Sequence, residues 1–473
     1  MKNILFYLII FFSKILNGFI KIFKKRGGTY ISGAIAYKLM PDFLSRVKNI
    51  DRNKVIIITG TNGKSTTTNL IVKTLENLGK TVASNLEGAN LTSGAITTVL
   101  KNITLTGKLK TEYLVIESDE RYLQITYPQL KGGHLIITNL QKDQMQRSGT
   151  PEFIYNKIKE TVKKVPNVYL NADEPISRSL AKFASGKVYT YGIAENEKSF
   201  KKDIEDISTY PCYNCSSKMS FDYFNLDNIG GFRCTSCGYK KETPDFNIEE
   251  IDFESKNIKL NGKIYSISYP MMYFQYTYAM AIALLTNLGF SYEEINGNIY
   301  KFKNIQGRID DLEYNFLDKD ENIKTKNIKY HRIKQGNSET LQTVLDIITE
   351  DKKDKTVVFF LNEIEDYPPY FTSAFYIFDV NLNKLKAQNP NIICFGRSVA
   401  YDVANKLKYE NFDQNKLEVI ESNDGKKLFK TLESEKYGDN IYLILPIERL
   451  NKLKAELNEI NTINLKNKKS ENK

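Results

Sequence analysis

One segment of the sequence constrains the fold more than any other. VIIITGTNGKSTTTNL (55–70) joins a short apolar run, a glycine-bearing turn and a helical pattern without interruption. The apolar run before the turn predicts a buried strand, and the pattern after it predicts a helix. Similar apolar runs at 113–117 and 134–140 are separated by helical or loop material. This alternation predicts an α/β fold built on a parallel sheet.

The glycine-bearing turn predicts a phosphate-binding loop for ATP. Glycines let backbone N–H groups approach phosphate oxygens, and the following helix presents its positive N-terminal end. In this interpretation Lys64 neutralises the β- and γ-phosphates during catalysis, and Ser65 binds Mg²⁺. The turn is two residues shorter than the general GxxxxGK[ST] pattern, and a plain turn is the alternative. The candidate nucleotide-binding residues are Gly60, Thr61, Asn62, Gly63, Lys64, Ser65 and Thr66.

A carboxylate ends the next predicted strand. Glu117 is the last residue of YLVIE (113–117). Ligands of open parallel sheets bind at the carboxyl ends of the strands, so Glu117 is placed to bind Mg²⁺ near the phosphate loop. The alternative is a solvated acid at a strand end.

Four of the five cysteines form two close pairs. Cys212 and Cys215 are followed after eighteen residues by Cys234 and Cys237, whereas Cys394 stands alone in an apolar run that predicts a core position. Two CxxC pairs at this spacing predict a closed, structural zinc site with four thiolate ligands. A redox CxxC and a DNA-binding ribbon are the alternatives, but redox chemistry needs one pair and the ribbon interior is not basic. Clustered thiols place the bulk of the chain in a reducing cytoplasm.

The chain begins with an apolar helix flanked by basic residues. ILFYLIIFF (4–12) is followed by Lys14, further apolar residues at helical spacing and the basic cluster KKR (24–26). We consider three alternatives: a helix lying on an acidic membrane surface, a single membrane span, and a helix packed on the protein's own body. A span would carry Lys14 at a cost of about 2.5–3.5 kcal/mol at mid-membrane.

Charge and hydropathy narrow the class of partner. The net charge of +11 suits an anionic partner, and a mean hydropathy of −0.40 excludes a polytopic membrane protein.

Four apolar runs predict strands of a second α/β unit: 356–362, 375–380, 391–396 and 440–446. We divide the chain into an N-terminal helix (1–26), an ATP-binding domain (27–304) with a zinc-ribbon insertion (205–245), a second α/β domain (305–455) and a charged tail (456–473).

Together these features resemble the Mur ligase family. GTNGKST, Glu117, NADEP (171–175) and the pair Tyr191-Gly192 carry the resemblance. More narrowly, the chain resembles the MurT subfamily, the ligase-like subunits of lipid II isoglutaminyl synthases. The narrower resemblance rests on the segments 27–44, 84–94, 139–149, 307–310 and 396–409, and on the position of the four cysteines.

The resemblance implies a Mur ligase-type P-loop ATPase domain with an inserted four-cysteine zinc ribbon, followed by a Rossmann-like C-terminal α/β domain. It implies ATP-dependent amidation of the D-Glu α-carboxylate of lipid II through an acyl phosphate. A GatD-like glutamine amidotransferase subunit would supply ammonia in a heterodimer, because no amidotransferase nucleophile is evident in this chain. ATP, Mg²⁺ and structural Zn²⁺ are the implied cofactors, and Arg308 is an implied nucleotide-binding residue.

The same resemblance implies where the protein works. The expected partners are the glutaminase subunit, lipid II or a related acidic lipid-linked substrate, and an anionic membrane surface, with no nucleic acid. We therefore expect a cytoplasmic protein held peripherally at the inner face of the cell membrane.

Two stretches depart from the subfamily pattern. FQYTY (274–278) replaces a Tyr-Asn-x-Tyr-Asn helix start near the adenine, and NEIEDYPPYFTSAFYIFDV (362–380) replaces an acidic stretch. Asp366 is the nearest surviving acid and our candidate catalytic residue. The departures leave two alternatives open: a Mur-type ligase of another carboxylate, and a non-catalytic ATP-binding scaffold at the membrane.

Overall fold

The structure is a computed structural model with two units, one formed by the described residues up to 303 and one by those from 309. It describes residues 2–22, 30–86, 89–141, 151–201, 211–226, 228–303, 309–318, 320, 322–334, 336–361, 364–365 and 372–471.

The first unit is an α/β structure. Its strands are β1 (Val55–Thr59), β2 (Val82–Ser84), β3 (Tyr113–Glu117), β4 (His134–Ile137), β5 (Asn167–Asn171), β6 (Lys187–Ile193), β7 (Met219–Leu226), β8 (Ile229–Cys234), β9 (Phe246–Asp252), β10 (Asn257–Leu260) and β11 (Lys263–Ser266). Its helices are α1 (Lys2–Ile22), α2 (Ile31–Leu39), α3 (Lys64–Asn77), α4 (Thr92–Lys101), α5 (Leu123–Leu130), α6 (Pro151–Val162), α7 (Pro175–Ser179), α8 (Met272–Asn287) and α9 (Tyr292–Ile299).

Nine of these strands form one sheet in the order β11-β10-β9-β6-β5-β4-β1-β3-β2. The pairs from β2 to β9 are parallel, and β10 and β11 extend the sheet in antiparallel pairs. The remaining two strands, β7 and β8, form a separate hairpin. Because β3 pairs with one edge of β1 and β4 with the other, the carboxyl end of β1 lies where the strand order reverses. Ligand sites of open α/β sheets form at such a position.

Alternate residues of β1 enter two separate cores, which explains the unbroken apolar run. Ile57 packs in a cluster with residues of α2, α4 and α5, whereas Ile56 and Ile58 pack in a cluster with α3 and α8. Strands covered on both faces need apolar side chains at every position. The strands predicted at 55–59 and 113–117 are confirmed, and the run at 134–140 forms a strand only as far as Ile137.

The N-terminal helix packs on the first unit. Phe6, Ile9 and Ile10 of α1 are buried in the same cluster as Ala36 of α2. The buried face of α1 therefore agrees with one of the three alternatives considered from the sequence, namely a helix that packs on the protein's own body. Within the described part of the chain, no helix combines the length and the apolar character needed to cross a membrane.

The second unit is also α/β. Its strands are β12 (Ile309–Leu317), β13 (Ile323–Ile333), β14 (Thr356–Phe359), β15 (Ile364–Glu365), β16 (Thr372–Ser373), β17 (Asn391–Gly396), β18 (Leu417–Glu421) and β19 (Asn440–Pro446). Its helices are α10 (Ser338–Glu350), α11 (Asn383–Gln388), α12 (Val399–Tyr409), α13 (Gly425–Leu432) and α14 (Ile447–Glu471). Six strands form a sheet in the order β12-β13-β19-β14-β17-β18, with only β12 antiparallel to its neighbour.

Three of the four strands predicted for this unit are confirmed as β14, β17 and β19. The strand predicted at 375–380 is wrong, because Phe375–Ile377 form a 3-10 turn. Tyr376 and Ile377 are nevertheless buried, so their apolar character reflects packing against the core and not membership of the sheet. The charged C-terminal segment is helical as far as Glu471, and the boundary drawn at 455 falls inside α14.

Candidate nucleotide and metal sites

The phosphate loop leaves β1 through a glycine that no other residue could replace without strain. Gly60 has a φ of +122°, and a Cβ there would lie 2.3 Å from Oγ1 of Thr138 and 2.8 Å from the carbonyl oxygen of Asn139. Gly63 has a φ of +82° and directly precedes α3, so the N–H groups of the first turn of α3 open onto the loop. The structure confirms the strand, loop and helix context on which the nucleotide prediction rests.

A second segment, residues 139–141 after β4, holds this loop by hydrogen bonds. The N–H of Thr61 donates to the carbonyl of Asn139 (2.8 Å), and the N–H of Asn62 donates to Oδ1 of Asn139 (2.9 Å). The Asn139 amide returns a bond to the Asn62 carbonyl (3.1 Å), and the Asn62 amide donates to Oε1 of Gln141 (3.1 Å). Neither Asn139 nor Gln141 is assigned a role by the sequence motifs above. The sequence does contain a signal for these two residues, because they are polar residues at the carboxyl end of an apolar run predicted to be a strand.

Lys64 folds back onto the loop. Its Nζ donates to the carbonyl oxygens of Gly60 and Thr61, and it forms an ion pair with Oε2 of Glu120 at 3.1 Å. The two charged side chains are only 8% and 5% exposed. The structure thus places a buried cation within a glycine loop and at a helix N-terminus, an arrangement that suits phosphate binding. Glu120 is a site residue that we did not select from the sequence.

Glu117 lies on the strand beside β1, paired in register with Ile58. Its backbone is fixed by Asn85, which accepts from the Glu117 N–H (2.9 Å) and donates to the Glu117 carbonyl (2.8 Å). The neighbouring Asp119 forms an ion pair with Arg121, with 2.8 Å between Oδ2 of Asp119 and Nη2 of Arg121. Burial opposes ionisation of Asp119, but the hydrogen bonds from Arg121 outweigh it and lower the pKa of that carboxyl. A buried carboxylate at this edge and the hydroxyl of Ser65 at the start of α3 are oxygen donors of the kind that Mg²⁺ prefers.

The four paired cysteines come together in one cluster. All four Sγ atoms lie within 4.8 Å of one another, with 3.7 Å between Cys212 and Cys237 and 3.5 Å between Cys215 and Cys234. A tetrahedral zinc with Zn–S bonds of about 2.3 Å sets its sulfurs about 3.8 Å apart. The backbone N–H of Asn214 donates to Sγ of Cys212, as the turn of a metal-binding knuckle requires. The cluster therefore fits a structural zinc ion.

A buried ion pair attaches the zinc-ribbon insertion to the rest of the first unit. The described residues of this insertion, 211–226 and 228–245, are called the inserted module. Nζ of Lys241 lies 2.8 Å from Oδ1 of Asp173, which is fully buried, and the Tyr276 hydroxyl donates to Oδ2 of Asp173 at 2.7 Å. Tyr239, two residues after the last cysteine of the cluster, donates to the carbonyl of Pro175. The motif NADEP thus has a structural explanation, because two of its residues, Asp173 and Pro175, bind side chains of the inserted module.

Two other sequence candidates lie outside the described residues: Arg308 and Asp366. Gln275, which replaces an expected asparagine, is buried near the start of α8. Its Nε2 donates to the carbonyl of Met271 at 3.1 Å.

Comparisons with known proteins agree with this arrangement. Residues 58–229 match the Mur ligase middle domain, and residues 335–446 match the MurT ligase C-terminal domain. The chain is 30% identical over 285 residues to the lipid II isoglutaminyl synthase (glutamine-hydrolyzing) subunit MurT of Staphylococcus aureus (strain COL), covering 60% of this chain and 63% of that protein. It is 28% identical over 297 residues to the subunit of the same name of Streptococcus pneumoniae, covering 59% and 63%. The matches thus span about 63% of the length of these curated relatives.

Solved structures support the fold. A pseudomurein peptide ligase type C from Methanothermus fervidus superposes with a TM-score of 0.65 at 18% identity, covering 89% of this chain and 80% of that one. MurF from Acinetobacter baumannii superposes with a TM-score of 0.60 at 13% identity, covering 90% and 80%.

Proposed function

We propose that this chain, which belongs to the Mur ligase family and joins a Mur ligase middle domain to a MurT ligase C-terminal domain, is the ATP-dependent subunit of a lipid II isoglutaminyl synthase. It would convert the D-Glu α-carboxylate of lipid II into an amide through an acyl phosphate. The observation that carries the proposal is the glycine loop with its buried lysine, in a chain that also has the MurT-type C-terminal domain.

The described residues supply the phosphoryl-transfer part of this reaction. A carboxylate does not react with ammonia because oxide is a poor leaving group, and phosphorylation by ATP removes that barrier. The loop N–H groups would bind the phosphates, and Lys64 would compensate the charge that develops during transfer, once phosphate competes with Glu120 for it. Ser65 and Glu117 would hold Mg²⁺, which supplies charge neutralisation at the β- and γ-phosphates. Asp366 and Arg308 remain our candidates for the catalytic acid and a further nucleotide contact.

Ammonia would come from a GatD-like glutaminase subunit in a heterodimer. Cys394 is fully buried in β17, and burial raises the pKa of its thiol, so it is no accessible nucleophile. The other four cysteines are grouped in the zinc-type cluster, which leaves no thiol of this chain for glutamine hydrolysis. We place the complex in the cytoplasm, at the inner face of the membrane that holds its lipid-linked substrate.

The test is reconstitution with lipid II, ATP and ammonium chloride, with and without a glutaminase partner and glutamine. Mass spectrometry should show a hydroxyl group exchanged for an amino group on the stem peptide, and Lys64→Ala should abolish both this product and ADP formation. ADP without amidated lipid II would exclude the amidation and favour another carboxylate substrate. Nucleotide binding without any ADP would favour the non-catalytic scaffold.

A further inference from the structure

We propose that α1 and α2 together form a bilayer-binding face, which inserts apolar side chains into the headgroup and acyl boundary of an anionic membrane. This inference goes beyond the proposed reaction, because no residue of the face belongs to the nucleotide or cysteine sites. It gives the expected membrane contact a specific surface made of two helices.

Helix α1 is apolar on two opposite faces. Phe6, Ile9 and Ile10 recur at helical spacing and are buried against the body of the unit. The opposite face carries a second apolar stripe whose members are exposed by 43–66%: Ile4, Leu8, Phe11, Phe12 and Ile15. A helix that needed only to pack on its own protein would have polar residues at these positions.

Helix α2 repeats the arrangement beside it. Its inner face carries small residues, and Gly33 allows such close packing that its N–H donates to Oγ1 of Thr97 on α4 at 3.1 Å. Its outer positions Ile31, Ile35 and Leu39 are exposed by 40%, 48% and 54%. Helices α1 and α2 contact each other and bury their inner faces in one cluster, so the two exposed apolar stripes belong to neighbouring helices. Exposed apolar stripes of this kind mark an interaction site.

The charge of the segment identifies the occupant. Residues 1–41 contain seven lysines and arginines and no aspartate or glutamate, the first acid being Asp42. Lys2 and Lys38 are exposed on the helices themselves. A second copy of the same face would bring like charges together, whereas an acidic lipid surface complements them and accepts the apolar stripe.

The experiment measures binding of the full chain to phosphatidylcholine vesicles with and without about 30% phosphatidylglycerol, an anionic lipid of the class that attracts basic helices. We expect binding to the anionic vesicles that weakens as salt rises. Leu8→Gln/Phe12→Gln and Ile35→Gln/Leu39→Gln should each weaken it by about tenfold or more, since each pair removes apolar groups from the boundary. Ile264→Gln is the matched control, because Ile264 is an exposed isoleucine (57%) on β11 and should change nothing.

Several outcomes would overturn the proposal. Equal binding by wild type and both double variants would place the membrane contact elsewhere, and an effect of the α1 pair alone would exclude the two-helix face. Loss of a concentration-dependent dimer in the variants, without vesicle binding by wild type, would assign the surface to self-association. Nucleotide binding, measured on the same preparations, should be unchanged, which separates failure of this proposal from failure of the proposed reaction and from misfolding.

Discussion

At the scale of single residues, Glu174 links the start of α7 to the segment that holds the phosphate loop. Its carboxylate accepts from the N–H groups of Ile176 and Ser177 at the start of α7, and from the N–H of Leu140 in the segment that holds the loop. The side chain is almost fully buried, and this burial raises its pKa to about 7 in spite of these hydrogen bonds. Ionisation of Glu174 is therefore more costly in the folded than in the unfolded chain.

This shift gives the stability a defined dependence on pH. Between the ordinary pKa of a glutamate and about 7, the folded protein binds more protons than the unfolded chain, so the free energy of unfolding falls as pH rises. Glu174→Gln should remove a fall of about 3 kcal/mol between about pH 5 and pH 8. Urea unfolding at a series of pH values measures it, with exposed Glu254→Gln as control. Identical slopes for wild type and Glu174→Gln would contradict this account.

At the scale of elements, the attachment of the inserted module depends on a buried ion pair. Asp173 lies in the loop before α7, and Lys241 follows the hairpin β7–β8. Removing one member leaves an uncompensated buried charge, which costs about 3–5 kcal/mol, whereas removing both costs less. Asp173→Asn and Lys241→Met should each lower the free energy of unfolding by this amount, and the double variant should recover part of it. Strictly additive losses would show that the pair is not coupled.

The cysteine cluster allows a prediction for the metal. Freshly purified protein should contain close to one zinc per chain by elemental analysis, because four clustered thiolates form a closed site. Cys212→Ser should lose the zinc and increase hydrogen exchange in β7 and β8, while Cys394→Ala should retain it. The phosphate loop is held mainly by residues 139–141 and should still bind nucleotide without zinc. Metal-free wild type with normal exchange protection would reject the site.

The same elements show what a single sequence can predict. Strands β1, β3, β14 and β17 were predictable because a parallel strand covered on both faces is an unbroken apolar run. Strand β12 was missed because IDDLEYNFL, at the edge of its sheet, is not an unbroken apolar run. The apolar residues at 375–380 do not form the predicted strand, because it is packing in the core, and not the sheet, that requires them there.

The sites divide in the same way. The phosphate loop and the cysteine pairs are local patterns, so a single segment of sequence is enough to predict each of them. Asn139, Gln141 and Glu120 act on residues 56–79 positions away in the chain, so their contacts depend on the order of the strands in the sheet. That order is a property of the folded unit, and the sequence of any one segment does not contain it.

At the scale of the whole molecule, the proposed division of labour between two subunits leads to a pH test. If this chain activates the carboxylate and another subunit produces ammonia, then ammonia offered in solution must reach the activated group as the free amine. Below the pKa of ammonium, the free amine increases about tenfold for each pH unit. The rate supported by ammonium chloride should therefore rise steeply between about pH 6.5 and pH 8.5, whereas the rate supported by glutamine and the glutaminase subunit should change much less, because ammonia is then released inside the complex.

Amide formation followed by mass spectrometry at fixed total ammonium provides the measurement, and ADP formation in the same samples corrects for any effect of pH on nucleotide turnover. Parallel pH profiles with the two nitrogen sources would contradict delivery within a complex, and glutamine-dependent amide formation by this chain alone would contradict the need for a second subunit.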